Sequence, residues 1–434
     1  MKKITAYIAL VGVAMGIVAC KPKYKTPDYS KGEMNPTTFV MIGGGHAAGY
    51  MDDGLTYEGQ QTSVAKLIAD QLKFVGGGDF KQSLVDQNSI GISLLGLSPL
   101  KMGYKTDCQG VTSLSPVRVA MSSGDMGIWS DNAANGPFNN FSIPGLQLAD
   151  LWSATVYNSN PFYKRIGSSS TLGISSLMQA NPTFFSVFLG LEEALVYAKS
   201  GGTVSTFLTD NEFETKYTEL VDLLTANGAK GALATIPDVT QMPYFTTIPW
   251  NGLNLDSANA ATLTNVFNQI GFTFEIGANP FMIVDPDANQ FAVRQIAANE
   301  KLLLSIPLDS VKCHKLGVLY PFRNEFVLNN DEIQILNDKV NAYNAIIRQI
   351  AQNKGLAIVE TNDFVSKLTS GFLYNGVALN AKFVTGGSYS LDGIYFNARG
   401  NGLFANEFIK AINKKYKSTI PQVDANKFSA TKFP

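Results

Sequence analysis

The stretch of sequence that decides the fold is Phe39-Val40-Met41-Ile42-Gly43-Gly44-Gly45-His46-Ala47-Ala48-Gly49-Tyr50. Its first four residues are bulky and apolar, which is typical of a β-strand buried on both faces. Three glycines follow at once, and glycine permits the sharp backbone turn that can connect a strand to a helix. The stretch therefore predicts a first strand, a tight turn and the start of a helix, as in an α/β protein.

Outward from this strand, short apolar runs alternate with amphipathic helical patterns. Further buried strands are predicted at 184–189, 232–236, 302–306 and 356–359. This alternation is typical of an α/β fold with a central parallel sheet. The stretch of about 102–170 is polar and irregular, and we interpret it as a large insertion. The longest helical pattern places apolar side chains on one face at Ile333, Leu336, Val340, Tyr343, Ile347 and Ile350.

Charge and composition exclude several classes of function. The chain of 434 residues carries 34 Lys and Arg against 35 Asp and Glu, so a net charge of −1 argues against nucleic acid as a partner. Its 2 His and 3 Cys are too few for a Cys-rich zinc site or a His-rich metal centre. We predict no cofactor and no metal, and any histidine chemistry must use His46 or His314.

The N-terminus has the pattern of a targeting segment. Lys2 and Lys3 precede an apolar run over 4–19 that is shorter than the roughly 20 residues of a membrane-spanning helix. The run ends in small residues before Cys20, which resembles a bacterial lipobox. We therefore predict a lipoprotein signal peptide at 1–19, a lipidated Cys20 and a tether at 20–37. The alternative is an ordinary signal peptide followed by a chance cysteine.

Lipidation of Cys20 implies attachment to the bacterial outer membrane. No acidic run follows Cys20, so the periplasmic face is favoured over the cell surface. The predicted folded domain spans 38–425, and a short tail follows at 426–434. Cys108 and Cys313 then remain in an oxidising compartment. They can form a disulfide there, or both can be buried as small apolar side chains.

Several motifs in order along the chain resemble those of the GDSL/SGNH hydrolases, in the branch found in large bacterial lipoproteins. The stretch 39–50 resembles the first conserved block of that family. The segments 143–145, 181–184 and 235–240 follow in the family's order, and the best match is Gly386-Gly387-Ser388-Tyr389-Ser390-Leu391-Asp392-Gly393-Ile394. The resemblance implies one flavodoxin-like, three-layer α/β/α domain with a central parallel sheet.

The same resemblance assigns catalytic roles to five positions, and most of them have lost the required side chain. The position of the nucleophilic serine is Gly45, and the glycine whose N–H binds the oxyanion is Gly145. The oxyanion-binding asparagine is replaced by Glu192. Asp392 is retained, but the histidine base that it would orient is Tyr395.

A site without nucleophile, base and oxyanion amide predicts a pseudoenzyme. The leading hypothesis is a binding or scaffolding subunit in the outer membrane, with a β-barrel or another envelope lipoprotein as partner. A second hypothesis is a lipoprotein that binds lipid or glycan in the former cleft. A third is an esterase with displaced catalytic groups, in which His46 acts as general base.

Other interpretations of these residues remain open in the sequence. His46 is interpreted first as a structural or cleft-lining residue. His314 is predicted in a loop, with a surface or packing role. Glu192, Glu193 and Asp392 would form a carboxylate cluster for a hard cation if they met. The favoured interpretation has Glu192 bonded to Tyr395 or to backbone N–H groups, while Glu193 caps the helix or faces solvent.

Overall fold

The computed structural model describes residues 28–121 and 123–434. The predicted signal peptide at 1–19, Cys20 and part of the predicted tether lie outside these residues. Within the described ranges, no helix has both the length and the apolar composition needed to cross a membrane.

A five-stranded parallel sheet forms the centre of the molecule. Its strands are β1 (Phe39–Gly43), β2 (Asn140–Ser142), β3 (Phe184–Phe188), β4 (Lys230–Ala234) and β5 (Ala357–Val359). Their spatial order is β2-β1-β3-β4-β5, and every neighbouring pair is parallel. This is the flavodoxin-like order of a doubly wound sheet. The predicted α/β fold with a central parallel sheet is confirmed.

Helices cover both faces of this sheet. One face carries α1 (Val64–Leu72) and α6 (Ala398–Tyr416), and the other carries α2 (Leu191–Lys199), α3 (Asp210–Thr225) and α4 (Asn330–Asn353). α5 (Thr361–Ser370) packs on α6. All residues of β1 and β3 are buried, as expected for strands covered on both sides. Shorter helices are Gly45–Ala48, Tyr57–Gln61, Val156–Ser159, Gly173–Met178, Pro243–Thr246, Ser257–Phe267 and Leu308–His314.

Local sequence signals begin the long helices. Asn329 accepts a hydrogen bond from the N–H of Glu332, whose carboxylate accepts the N–H of Asn329 in return at the start of α4. Thr209 and Glu212 form the same capping box before α3. Each box pairs two N–H groups that have no partner inside the helix, and the long apolar face of α4 then packs on the sheet.

The predicted insertion at 102–170 has more regular structure than its composition suggests. It contains most of a long antiparallel hairpin, Leu100–Thr106 with Thr112–Arg118, and it also contains the edge strand β2 of the central sheet. Because β2 is only three residues long, its position depends on pairing with β1 and not on a pattern of its own.

The prediction of a central strand at 302–306 is wrong. Only Lys301–Leu302 is extended, and it pairs antiparallel with Val327–Leu328 outside the central sheet. It belongs to a second region between β4 and α4, which has small apolar clusters of its own. Two further antiparallel pairs lie there, Leu253–Leu255 with Gly277–Asn279 and Met282–Val284 with Val293–Gln295.

A disulfide joins the two regions that project from the sheet. Cys108 in the tip of the long hairpin is bonded to Cys313 in the helix Leu308–His314, across 205 residues of sequence. Ion pairs flank the bond, from Lys105 to Asp309 at 2.8 Å and from Lys312 to Asp107 at 2.7 Å. Of the two possibilities open in the sequence, the structure has the pairing.

Candidate functional site

The candidate site lies at the carboxyl ends of β1 and β3, where ligands bind in doubly wound sheets. Gly45 follows β1, and Glu192 stands in the first turn of α2 directly after β3. Gly190 makes this second turn with a φ of 98°, which favours glycine. The loop before α6 brings Asp392 and Tyr395 to the same place, so the fold assembles the residues that the motif order predicted.

The Glu192 carboxylate occupies the centre of the site. Its Oε1 accepts the backbone N–H of Gly45 at 2.8 Å, and the Tyr395 hydroxyl donates to Oε2 at 2.9 Å. Burial raises the pKa of Glu192, while the N–H of Gly45, the Tyr395 hydroxyl and the N–H of Gly145 act in the opposite direction. Gly45 and Gly145 are the positions to which the resemblance assigns the backbone donors of the oxyanion hole. The carboxylate therefore sits where those donors would hold a substrate oxygen.

The ring of Tyr395 fills the space beside Gly45. A Cβ atom added to Gly45 would lie 2.3 Å from Cε1 and 2.6 Å from Cζ of that ring. A Cβ on Gly44 would lie 2.2 Å from Oε1 of Glu192. Since real Cβ contacts are longer than 3 Å, the present packing leaves no room for a serine at either position.

Tyr395 is held in a neutral, donating state. It is 5% exposed, and burial together with the neighbouring Glu192 carboxylate raises the pKa of its phenol well above the ordinary value. Its ring packs edge-on against Tyr50 and His46, with centroids 5.2 and 5.1 Å apart. A protonated phenol in this position donates to Glu192 and has no capacity to act as a general base near neutral pH.

His46 is a buried member of an aromatic cluster. Its ring contacts Phe188, Tyr395, Phe396 and Phe404 edge-on, at centroid distances of 4.6–6.0 Å. Burial lowers the pKa of His46 to about 3, and its Nδ1 has no hydrogen-bond partner among the described residues. The neutral ring thus serves as a packing group, which agrees with the structural interpretation of this histidine.

Asp392 organises the loop that carries Tyr395. Its Oδ1 accepts the N–H groups of Ile394 and Tyr395 at 2.8 and 2.9 Å, and its Oδ2 accepts the N–H of Asp53 at 3.0 Å. Burial raises the pKa of Asp392 against these three donors. In place of orienting a histidine, the carboxylate fixes the backbone so that the ring of Tyr395 reaches Glu192.

Glu193 does not face solvent, so that part of its favoured interpretation is wrong. The residue is 1% exposed and accepts the N–H of Leu148 at 2.8 Å, while burial raises its pKa to about 7. Among the described residues, no group of three or more His, Cys, Asp or Glu is arranged to hold a metal ion. His314 is exposed and ends the helix Leu308–His314, where a loop was predicted.

The turn at Asp52–Asp53 belongs to the site, although the sequence indicated only a turn there. Both residues have a positive φ, of 54° and 52°, in the hairpin Tyr50–Met51 with Gly54–Leu55. The N–H of Asp52 donates to Ser390 at 2.9 Å, and its carboxylate accepts the N–H of Leu391 at 2.8 Å. No sequence signal marks these contacts, because they join positions more than 300 residues apart.

No family model and no curated protein matches the chain. Two solved structures are similar to it. One is LAE5, an α/β hydrolase enzyme from the metagenome of Lake Arreo, Spain, with 10% identity, a TM-score of 0.37 and coverage of 88% of this chain and 96% of that one. The other is the lipase/acylhydrolase from Enterococcus faecalis, with 11% identity, a TM-score of 0.33 and coverage of 88% and 98%. The assignment of the α/β fold rests on the sheet order described above.

Proposed function

We propose that this protein is a catalytically inactive SGNH-like lipoprotein that works as a binding or scaffolding subunit at the outer membrane. Cys20 would carry the lipid, and the folded body would lie on the periplasmic side. The partner would be an outer-membrane β-barrel or another envelope lipoprotein. The observation that carries the proposal is the closed site around Gly45, Glu192 and Tyr395.

The closed site supports inactivity in two independent ways. First, the Tyr395 ring fills the volume in which a nucleophile at position 45 would have to stand. Second, the Glu192 carboxylate uses the N–H of Gly45 as its own hydrogen-bond donor. A substrate carbonyl would have to displace a buried carboxylate to reach that donor, which is unfavourable for ester hydrolysis. The closure equally disfavours a lipid or glycan in the former cleft.

The outward side of the long hairpin supports a docking role. Tyr104 and Leu114 face each other across its two strands and are 72% and 39% exposed. Val111 at its tip and Leu308 beside the disulfide are 56% and 52% exposed. Apolar side chains that cluster on a surface are typical of a protein interface, and the disulfide to Cys313 holds this one in place.

Hydrolysis of p-nitrophenyl acetate and butyrate tests the inactivity. We expect no turnover above the blank for the wild-type protein. The triple variant Gly45→Ser, Glu192→Asn, Tyr395→His restores the family's side chains and serves as the matched comparison. Wild-type turnover that persists through purification and disappears in His46→Leu would establish the displaced-esterase alternative instead.

Site-specific photo-crosslinking in intact envelopes tests the docking role. A crosslinker at Tyr104 is expected to capture one defined β-barrel or lipoprotein, whereas the same group at the exposed Lys382 is expected to capture none. Equal labelling from both positions would contradict a docking surface on the hairpin. Globomycin-sensitive processing and palmitate labelling that is lost in Cys20→Ala would test the anchor separately.

A further inference from the structure

A cavity of about 480 Å³ lies beside the closed site, on the other side of the Asp52–Asp53 turn. Apolar side chains form much of its wall, among them Met51, Ile90, Met102 and Leu391. Volumes of 300–1,000 Å³ with a mainly apolar lining are usual for sites that bind small molecules. The cavity is separate from Gly45, Glu192 and Tyr395, none of which lines it.

One carboxylate enters this apolar wall with an oxygen to spare. Asp52 lines the cavity, and its Oδ1 accepts the N–H of Leu391. Within the described residues, no donor is bonded to its Oδ2 and no cation lies within ion-pair distance. The lysine nearest in effect, Lys432, is paired with Glu58 at 2.7 Å at the surface.

The electrostatic surroundings of Asp52 are those of an acid that lacks its cation. Asp392 and Glu58 raise the pKa of Asp52, while Lys432 and the N–H of Leu391 lower it; burial is the largest effect, and the resulting value is about 7. An anionic ligand would add a further negative charge to this group. A cationic head would supply the missing countercharge and a donor for Oδ2.

The C-terminal segment closes one side of the cavity. Ser429, Ala430, Thr431 and Lys432 all contribute to its lining. The Thr431 hydroxyl is buried without a hydrogen-bond partner among the described residues, although buried hydroxyls normally have one. A polar atom of a bound molecule would satisfy it.

We propose that this cavity is a binding site for a small amine, a molecule with one protonated amino group on an apolar body of drug-like size. The amino group donates to Oδ2 of Asp52, and the apolar body lies against Met51, Met102 and Leu391. The chemistry that selects the ligand is one buried negative charge in an otherwise apolar wall. This site does not depend on the catalytic state of Gly45 and Tyr395.

Isothermal titration calorimetry with three matched compounds tests the proposal on the full-length protein. 4-Phenylbutylamine carries the cation, 4-phenylbutanol is its neutral counterpart and 4-phenylbutyrate is the anion. We expect the amine to bind at least about tenfold more tightly than the alcohol, and the acid not to bind. No detectable binding of the amine, or equal binding of all three compounds, would overturn the proposal.

Three variants locate the binding. Asp52→Asn keeps an oxygen for the N–H of Leu391 but removes the charge, so it should weaken amine binding at least about tenfold. Ala430→Trp fills the cavity without touching Asp52 and should abolish binding. Asp79→Asn removes an equal charge from a distant exposed position and should change nothing. Unaltered binding in the first two variants, with a native circular dichroism spectrum, would place the amine elsewhere and refute the site.

Discussion

Gly45 and Tyr395 compete for one volume, and this competition is measurable as an energetic coupling. We expect Gly45→Ser to lower the free energy of unfolding by about 1–3 kcal/mol, because the new side chain overlaps the Tyr395 ring. In a Tyr395→Ala background the same change should cost less than about 1 kcal/mol. Urea denaturation of the four proteins gives the coupling.

Gly127→Ser is the matched control for this experiment. No atom lies within 4 Å of a Cβ at Gly127, so a serine there meets open space. It should leave the free energy of unfolding within about 0.5 kcal/mol of wild type. Equal costs for Gly45→Ser in both backgrounds would show that the two residues do not share a volume.

His46 makes a second prediction at this scale, since its pKa differs between the folded and unfolded chain. The pKa is about 3 in the folded protein and about 6.5 in an unfolded chain. Below pH 6.5 the unfolded state therefore gains a proton that the folded state does not, and stability is lost as the pH falls. His46→Leu should remove this loss and gain about 2 kcal/mol relative to wild type between pH 7 and pH 5.

Urea denaturation at both pH values measures this difference. His314→Leu is the control, because His314 is exposed at the end of a helix and has no packed surroundings to lose. A wild-type protein whose stability relative to His46→Leu is the same at pH 7 and pH 5 would contradict a buried, neutral His46.

Between elements, one aromatic contact joins the two helices α3 and α4 on the same face of the sheet. The rings of Phe213 and Tyr343 are stacked with centroids 3.7 Å apart and planes 9° from parallel. Tyr343 is fully buried, and its hydroxyl donates to the backbone oxygen of Leu208 at 2.7 Å. One side chain thus contributes both packing between the helices and a hydrogen bond to the segment before α3.

The two contributions of Tyr343 can be separated. Tyr343→Phe removes only the hydrogen bond and should cost about 1 kcal/mol, whereas Tyr343→Ala also removes the ring and should cost about 3–5 kcal/mol. Chemical denaturation gives both values. Similar costs for the two variants would mean that the stacked rings contribute little to the attachment of α4.

At the scale of the whole molecule, the disulfide joins two projecting regions that have little core between them. Reduction of Cys108–Cys313, or Cys313→Ser, should lower the free energy of unfolding by about 3–5 kcal/mol because the bond closes a long loop in the unfolded chain. Hydrogen exchange should increase first in the hairpin 100–118 and in the helix 308–314. Faster exchange spread evenly over β1, β3 and β4 would contradict this local effect.

The sheet could be predicted from the sequence where its strands are continuously apolar. The runs at β1, β3, β4 and β5 are of this kind, and the structure places all four in the parallel sheet. The strand β2 was missed because its sequence Asn140-Phe141-Ser142 has no apolar run of its own, and pairing with β1 is what makes it extended. The run at 302–306 was misassigned because it is apolar for another reason, the small core of the second region.

The candidate site could be predicted in its membership but not in its geometry. Motif order indicated Gly45, Glu192 and Tyr395, and the structure brings these three together. The role of Asp52 and the burial of Glu193 were missed, since both depend on contacts with distant loops. Sequence spacing gives no information on whether a carboxylate accepts a backbone N–H or meets water.

The interlocked packing at the site has a consequence for how such a chain can change over generations. A serine at position 45 collides with Tyr395, and loss of Tyr395 leaves a void beside His46 and takes the phenol from a buried acid. Removal of the acid from Glu192 leaves the N–H of Gly45 without its acceptor. Each single step toward a hydrolase is therefore penalised before any activity appears. Drift by one substitution at a time works as a ratchet here, and only concerted replacement of all three positions leads back.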